Sequence, residues 1–344
     1  MSKTIKVGWI GAGRMGFEMA KRLAIGTVVP ANAGTPPHVV PANAGTQGLS
    51  ADDPGFPLSR ERQVEVTVWN RTRAKALPLT QFGAKIANSL DELASCDIVF
   101  CMVSTWNDVK EVVAGPDGML SGGKAPRIVV ECSSISLEGS AELRALLGQH
   151  GAQLLAAPVS GNAKVIKAGK LSFVCSGPKP VFDEVQPLLR MIAPAAIYVG
   201  EGELARIVKI CHNVLLGVVT QSLAEITILA EKAGVPRHAF LEFINQSVMG
   251  SVFSRYKSPA FVNLDFNVTF TPQLLRKDMD LGLDAGRRYE VPMPLASVTR
   301  DLIQSMIGNG MTQQDFATLI VQQAQASGVK LEAENVPVDD GLAS

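Results

Sequence analysis

The sequence has no surplus of charge of either sign: 32 lysines and arginines stand against 32 aspartates and glutamates. Recognition of nucleic acid or of an anionic membrane rests on a basic excess, so a small-molecule partner is expected and neither of those. Cysteine is scarce, and the five present (Cys96, Cys101, Cys132, Cys175, Cys211) form no CxxC pair. Several lie in apolar runs, as reduced buried thiols do, which fits a reducing, cytoplasmic compartment. The four histidines, His38, His150, His212 and His238, show no HExxH or CxxH spacing, and no protein-bound metal is expected. No run reaches the eighteen or so apolar residues of a membrane span. The first residues, MSKTIKVGWIGAGRMG, place glycines and Arg14 where a signal peptide needs an unbroken apolar core, so they read as the first strand of a fold. What is present is ordinary for a globular chain: 47% hydrophobic and 19% charged over 344 residues, enough for two domains with sizeable cores.

Residues 5–10, IKVGWI, make a short buried-type strand, and residues 14–25 show helical spacing at Met15, Met19 and Leu23. Between them lies Gly11-Ala12-Gly13-Arg14-Met15-Gly16. GxGxxG alone says little, but a strand before it and a helix after it is the context that gives it force. Its glycines permit a tight turn and let the backbone approach a pyrophosphate at the helix N-terminus. All six residues are expected to contact a dinucleotide.

Such a motif calls for a second strand ending about twenty residues on. The candidate, VEVTVW at 64–69, puts Asn70 54 residues past Gly16. VVPANAGT at 28–35 recurs unchanged at 39–46, and the stretch stays proline-rich to about Gln63. Removing residues 28–63, 36 positions, leaves 54 − 36 = 18. We therefore expect 28–63 to be an insertion, extruded and disordered because it has little to bury.

After the second strand stand Asn70, Arg71, Thr72 and Arg73. A carboxylate there would bond the ribose 2′-hydroxyl of NAD; its absence, with a guanidinium beside the gap, favours NADP(H) while leaving NAD(H) possible. Asn70, Arg71 and Thr72 are the expected contacts. A helix near 73–82, a strand at 84–87 and a helix at 89–95 follow. The strand DIVFCMV at 97–103 comes next, and Met102, Val103 and Ser104 at its carboxyl end are further cofactor candidates, since ligands of open α/β sheets sit there. A helix near 107–114, a strand at 127–132, a helix at 137–149 and a strand at 152–157 continue the alternation. The expected fold is α/β, an N-terminal doubly wound Rossmann-type parallel sheet over 1–200 followed by an all-helical C-terminal domain over 201–326. Helices are expected at 237–248, 271–289, 294–308 and 312–326, with 327–344 a flexible polar tail.

A long helix over 200–233 leads the second domain. Gly200 and Gly202 precede it, and Gly234 and Pro236 stop it. About thirty residues at 1.5 Å each span roughly 45 Å. Its middle is apolar on nearly every face, yet it carries Lys209, His212 and Asn213, which share one face. A lysine in such surroundings is costly unless paired or shifted to lower pKa, and a lowered pKa suits proton transfer near neutrality. A helix apolar all round also needs more cover than one small domain gives, so a homodimer or homotetramer built on 203–233 is expected.

Four motifs in order, with a fifth fragment, resemble the β-hydroxyacid dehydrogenase family, which includes 3-hydroxyisobutyrate dehydrogenase and the glyoxylate/succinic semialdehyde reductases. They are GAGRMG at 11–16, Glu131-Cys-Ser-Ser134, Ala157-Pro-Val-Ser-Gly161 with Ala168-Gly-Lys-Leu171, Gly200-x-Gly202 leading to Lys209-x-x-x-Asn213, and Leu275-Arg-Lys-Asp-Met279. The resemblance implies a metal-independent hydride transfer between NADP(H) and a small 3-hydroxy acid or its aldehyde or keto counterpart. Lys209 would be the general acid/base and Asn213 would orient the substrate. Ser133, Ser134, Ser160, Gly161 and Asn162 would hold a substrate carboxylate, and Lys277 would close the pocket and touch the cofactor.

The pattern departs from the family at Glu131 for Asp, Ser134 for Thr and Asn162 for a second Gly. Asn tolerates a left-handed backbone, so a changed pocket is expected more than lost function. Lys-x-x-His-Asn is also similar to 6-phosphogluconate dehydrogenase, but the glutamate used there three residues after the asparagine is Leu216 here. Two alternatives stay open: an imine reductase, whose family usually has Asp or Tyr where Lys209 stands, and a non-catalytic NADP(H)-binding interaction protein docking through 28–63.

Overall fold

The structure, a computed structural model, describes residues 4–26 and 64–342. The insertion expected at 28–63 lies outside them. The chain divides into two compact units. One takes in the described residues up to Ile135 with Gly139–Ala157 and Cys175–Gly202; the other takes in Ser136–Glu138, Pro158–Val174 and the described residues from Glu203 on. Residues 158–174, expected in the sheet domain, thus group with the helical unit.

The first unit is built on β1 (Ile5–Ile10), β2 (Val64–Trp69), β3 (Lys85–Ile86), β4 (Ile98–Cys101), β5 (Ile128–Glu131) and β6 (Gln153–Ala156). They form one parallel sheet in the order β3-β2-β1-β4-β5-β6. Every residue of β4 and β5 is buried, which is why they read as unbroken apolar runs, whereas β2 alternates between buried and half-buried positions. The crossovers include α1 (Arg14–Ile25), α2 (Arg73–Ala76), α3 (Trp106–Ala114) and α4 (Leu137–Gln149). The strand order reverses at β1, next to β4, and the carboxyl ends there are where a doubly wound sheet places its ligands. Of the helix expected at 73–82, only α2 is α-helical, and Pro78 opens a 3₁₀ segment over Leu77–Phe82; the helix expected at 89–95 is likewise 3₁₀ over Asp91–Ser95.

After β6 the chain supplies β7 (Val159–Ser160), α5 (Ala163–Lys167) and β8 (Ser172–Cys175), then α6 (Lys179–Ile192) and β9 (Ala195–Tyr198). β7 and β8 pair antiparallel, Ser160 opposite Ser172, so the alternation expected through residue 200 does not all join the parallel sheet.

The helical unit is organised by α7 (Leu204–Lys232), packed against α8 (Arg237–Gln246), α10 (Pro272–Arg288), α11 (Pro294–Gly308) and α12 (Leu319–Ala326). α9 (Val252–Asn263) was not expected, because Pro259 interrupts its pattern; a reciprocal Ser251–Ser254 capping box starts it. By length and composition α7 does qualify as a membrane span, contrary to the sequence expectation, but half of its most apolar window is buried within the protein. Val214, Leu223, Ala224 and Ile228 enter a core with Leu275, Met279, Ile303 and Phe316.

The tail is not the flexible segment its polarity suggested. Val329, Leu331, Val336 and Val338 pack on that core. Glu334 accepts the backbone N–H groups of Arg237 (2.7 Å) and His238 (3.0 Å), satisfying the start of α8. The buried Arg237 guanidinium donates to the carbonyls of Phe261, Val262 and Glu332, and Asn263 exchanges two hydrogen bonds with Val336.

Candidate functional site

In the first unit the Gly11–Gly16 turn is held from three sides. Gly11 N–H donates to the Trp69 carbonyl (2.9 Å), Ala12 N–H to Asn70 Oδ1 (2.8 Å), and Trp9 Nε1 to the Gly11 carbonyl (2.9 Å). Trp9 is itself stacked on Phe100. Gly11 has φ +96°, and a Cβ there would stand 2.2 Å from the Met102 carbonyl oxygen; one at Gly16 would stand 2.0 Å from the Gly11 carbonyl oxygen. Gly13, the N-cap of α1, faces open space, makes no side-chain cap and is followed by no acid in the first turn. Arg14 is exposed and Met15 half-buried beside it. The positive end of α1 is thereby left to an external anion, so the residues present fit a dinucleotide pyrophosphate.

Asn70 is a brace: besides receiving Ala12, its Nδ2 donates to the Thr72 carbonyl (2.8 Å). Thr72 is exposed at the N-cap of α2 without capping it. Arg71 Nη2 donates to both Asp108 Oδ1 and Glu111 Oε2, each at 3.0 Å, a pairing absent from the sequence expectation. Met102 and Val103 are half-buried and Ser104 exposed at the end of β4. Ser133, expected to meet substrate, is fully buried. Its Oγ accepts Val103 N–H (2.9 Å) and its own N–H donates to the buried Glu131 (2.7 Å), so it joins the ends of β4 and β5. Ser134 is half-exposed.

The second cluster lies wholly within the helical unit. Lys209 Nζ donates to Asn213 Oδ1 at 2.8 Å, one turn along α7, and Asn213 Nδ2 donates to Asp278 Oδ2 of α10 at 2.5 Å. The ammonium at one end and the carboxylate at the other set the amide orientation. His212 Nδ1 also lies 2.9 Å from Asn213 Oδ1, and since that oxygen only accepts, Nδ1 carries the hydrogen. In neutral His212 the other nitrogen, Nε2, is then an acceptor, and Ser160 Oγ at 2.8 Å donates to it. Asn213, expected to orient the substrate, has its acceptor oxygen engaged by Lys209 and His212 and holds the lysine. Lys277 Nζ lies 3.3 Å from Asp278 Oδ1.

Desolvation lowers the Lys209 pKa to about 8; Asp278 pulls it back up and Lys277 pushes it further down. Burial, and then the Lys209 charge, also lowers His212, against the Asn213 hydrogen bond. Gly161 (φ +134°) carries the left-handed turn before α5, with room for no Cβ against Val165. Asn162 is therefore not left-handed as expected: its backbone is extended, and its side chain caps α5 by accepting Val165 N–H at 3.1 Å.

Asp278 lies within the Leu275–Met279 fragment, and an acid beside Lys277 on the otherwise apolar buried stripe of α10 is the sequence signal for it. The partners Asp108 and Glu111 carried none, since their spacing is that of any solvated helix face.

Residues 58–200 match the family model described as the NAD binding domain of 6-phosphogluconate dehydrogenase, and residues 203–322 match that described as NAD-binding of NADP-dependent 3-hydroxyisobutyrate dehydrogenase. The first match starts beyond Gly16, so the turn rests on its own geometry. The chain is 31% identical over 271 residues to the uncharacterized oxidoreductase YfjR of Bacillus subtilis, covering 77% of this chain and 95% of that one. It is 28% identical over 333 residues to the 2-(hydroxymethyl)glutarate dehydrogenase of Eubacterium barkeri, covering 96% and 99%. Its fold is similar to the crystal structure of a 3-hydroxyisobutyrate dehydrogenase from Salmonella typhimurium, with TM-score 0.74 and 23% identity over 92% of this chain and 99% of that one.

Proposed function

Because the chain belongs to the β-hydroxyacid dehydrogenase family, nicotinamide-dependent oxidoreductases, we propose that it interconverts a small hydroxy acid with its aldehyde or keto counterpart, using Lys209 as general acid and base and taking NADP(H) in preference to NAD(H). The observation that carries this reading is Lys209 itself. Its ammonium sits in a desolvated setting against a neutral amide, with a pKa near 8. Such a group can hold a proton and still give it up near neutral pH.

Bound dinucleotide supplies or accepts the hydride. Gly11, Ala12, Gly13, Arg14, Met15 and Gly16 would hold its pyrophosphate, Asn70, Arg71 and Thr72 its ribose, and Met102, Val103 and Ser104 its nicotinamide half. In the reductive direction Lys209 donates its proton to the substrate oxygen as that oxygen gains negative charge; in the oxidative direction the neutral amine takes the hydroxyl proton. Asn213 fixes the lysine and Asp278 fixes Asn213. Ser134, Ser160, Gly161 and Asn162 are the proposed carboxylate contacts, with Lys277 an additional cation, and the buried Ser133 holds the β4–β5 junction instead.

The test is oxidation of NADPH and of NADH with glyoxylate, succinic semialdehyde, tartronate semialdehyde and methylmalonate semialdehyde. Turnover of at least one acid that is lost in Lys209→Ala, while dinucleotide binding persists, is the expected result. No turnover despite tight dinucleotide binding would overturn the reading.

We further propose self-association through α7, supported by Leu204, Val208, Leu215 and Leu229 on its exposed side, Leu229 at 70% exposure. Sedimentation at micromolar concentration is expected to show a dimer or tetramer and Leu215→Glu to dissociate it; a wild-type monomer would remove the proposal.

A further inference from the structure

Arg71 is the group from which a preference for a 2′-phosphate is read, and it is already engaged. Both hydrogens of its Nη2 are committed, one to Asp108 and one to Glu111, each at 3.0 Å. A guanidinium grips a phosphate through two parallel N–H groups, and either two-nitrogen fork that includes Nη2 is blocked until one carboxylate lets go.

The two carboxylates differ in how firmly they are held. Asp108 belongs to the capping box that starts α3: its Oδ2 accepts the Thr105 hydroxyl at 2.7 Å and the Thr105 N–H at 3.0 Å, while Thr105 Oγ1 accepts Asp108 N–H. The Thr105 hydrogen bond, then the Arg71 guanidinium, hold its carboxyl below the usual carboxylate range against some burial. It is ionised and rigid. Glu111, one turn on, is 65% exposed, and Arg71 is its ion-pair partner. Around the guanidinium there are thus two negative charges to one positive.

We propose that Asp108 and Glu111 are cofactor-specificity determinants: they hold Arg71 on α3 and oppose a 2′-phosphate, so that the Asn70-Arg71-Thr72 turn accepts NADPH with a weaker preference than its residues imply, and Glu111 sets how weak. The inference rests on the dinucleotide-binding reading above. A 2′-phosphate brings nearly two negative charges at pH 7, whereas the 2′-hydroxyl of NADH brings none, so the carboxylates act on one cofactor and not the other. Unit charges a few ångströms apart near a wetted surface interact weakly and are screened by salt, which puts the effect of one carboxylate at roughly 3- to 10-fold in affinity.

The experiment is direct titration of NADPH and of NADH into the wild type, Glu111→Gln and Arg71→Gln, read by dinucleotide fluorescence and independent of turnover. Glu111→Gln is expected to tighten NADPH roughly 3- to 10-fold, less at 0.5 M salt, with NADH unchanged within about twofold. Arg71→Gln is expected to weaken NADPH more than NADH, which lacks the 2′-phosphate. An unchanged NADPH-to-NADH ratio in Glu111→Gln overturns the proposal, and so does weaker NADPH binding, which would make Glu111 an aid that orients Arg71. A wild type that binds both dinucleotides but turns over no acid leaves this inference standing and removes the proposed reaction. Binding of neither removes both.

Discussion

Two lysines in the helical unit, Lys257 buried and Lys209 half-buried, are held in opposite ways. Lys257 of α9 is 4% exposed, and its ammonium donates to Asp315 at 2.5 Å and Thr269 Oγ1 at 3.0 Å while lying 4.2 Å from the centre of the Phe316 ring. Asp315 completes the arrangement by accepting from the N–H groups of Thr269, Phe270 and Ala317 and from the Thr269 hydroxyl. Burial pushes the Asp315 carboxyl up, but Lys257, Thr269 and Ala317 together hold it below the usual range. Both partners are charged and saturated, so the pair is a structural staple. Lys209 has a neutral amide where Lys257 has a carboxylate, and its counter-charge, Asp278, stands one residue further away behind Asn213. Burial lowers the pKa of both lysines, but Lys257 has a carboxylate in direct contact to hold its proton, whereas Lys209 meets its counter-charge only through Asn213.

The contrast breaks most sharply by truncating each lysine. Lys209→Ala is expected to lower kcat in the reductive direction by about 10²–10⁴ with the melting temperature nearly unchanged. Lys257→Met is expected to do the reverse: Asp315 is left buried and unpaired, and stability falls by about 3–5 kcal/mol, which thermal denaturation would register. Loss of turnover in Lys257→Met at a temperature where it stays folded would erase the distinction.

The pH profile sharpens it further. In the proposed reaction reduction uses Lys209 protonated, so its rate should fall as pH rises through about 8, while oxidation, which uses the neutral amine, should rise over the same range. Asp278 raises the lysine pKa, so Asp278→Asn should move both limbs to lower pH. Limbs that stay in place would remove Asp278 from the relay. The smallest expected effect lies at the tail. Glu334→Gln leaves the start of α8 capped by a neutral amide, at a loss of about 1 kcal/mol, a drop of roughly 2–4 °C in melting temperature.

Local patterns carried a good part of this. The strand, glycine turn and first helix over residues 5–25, and α7 with its three polar residues on one face, are written in spacings of two to four residues. The helix over 252–263 was hidden because Pro259 breaks its period, although the Ser251–Ser254 box marks its start. The polar composition of the tail hides its pattern: Val329, Leu331, Val336 and Val338 are apolar positions inside a polar stretch, and they find the core. A hydroxyl at a strand end, as at Ser133, serves joining β4 to β5 as well as it serves binding, and only burial separates the two.

By itself the sequence determined the strand–turn–helix that can cradle a phosphate and the single helical face bearing Lys209, His212 and Asn213, because helix and strand periods are properties of neighbours along the chain. Tertiary structure alone decided what those groups do. Asp278 is 65 residues from Asn213, Ser160 is 52 from His212, Asp108 and Glu111 are 37 and 40 from Arg71, and Glu334 is 97 from Arg237. Charge state and donor use depend on which partner arrives and how much water is expelled, and partners so distant in the chain leave no local period to read.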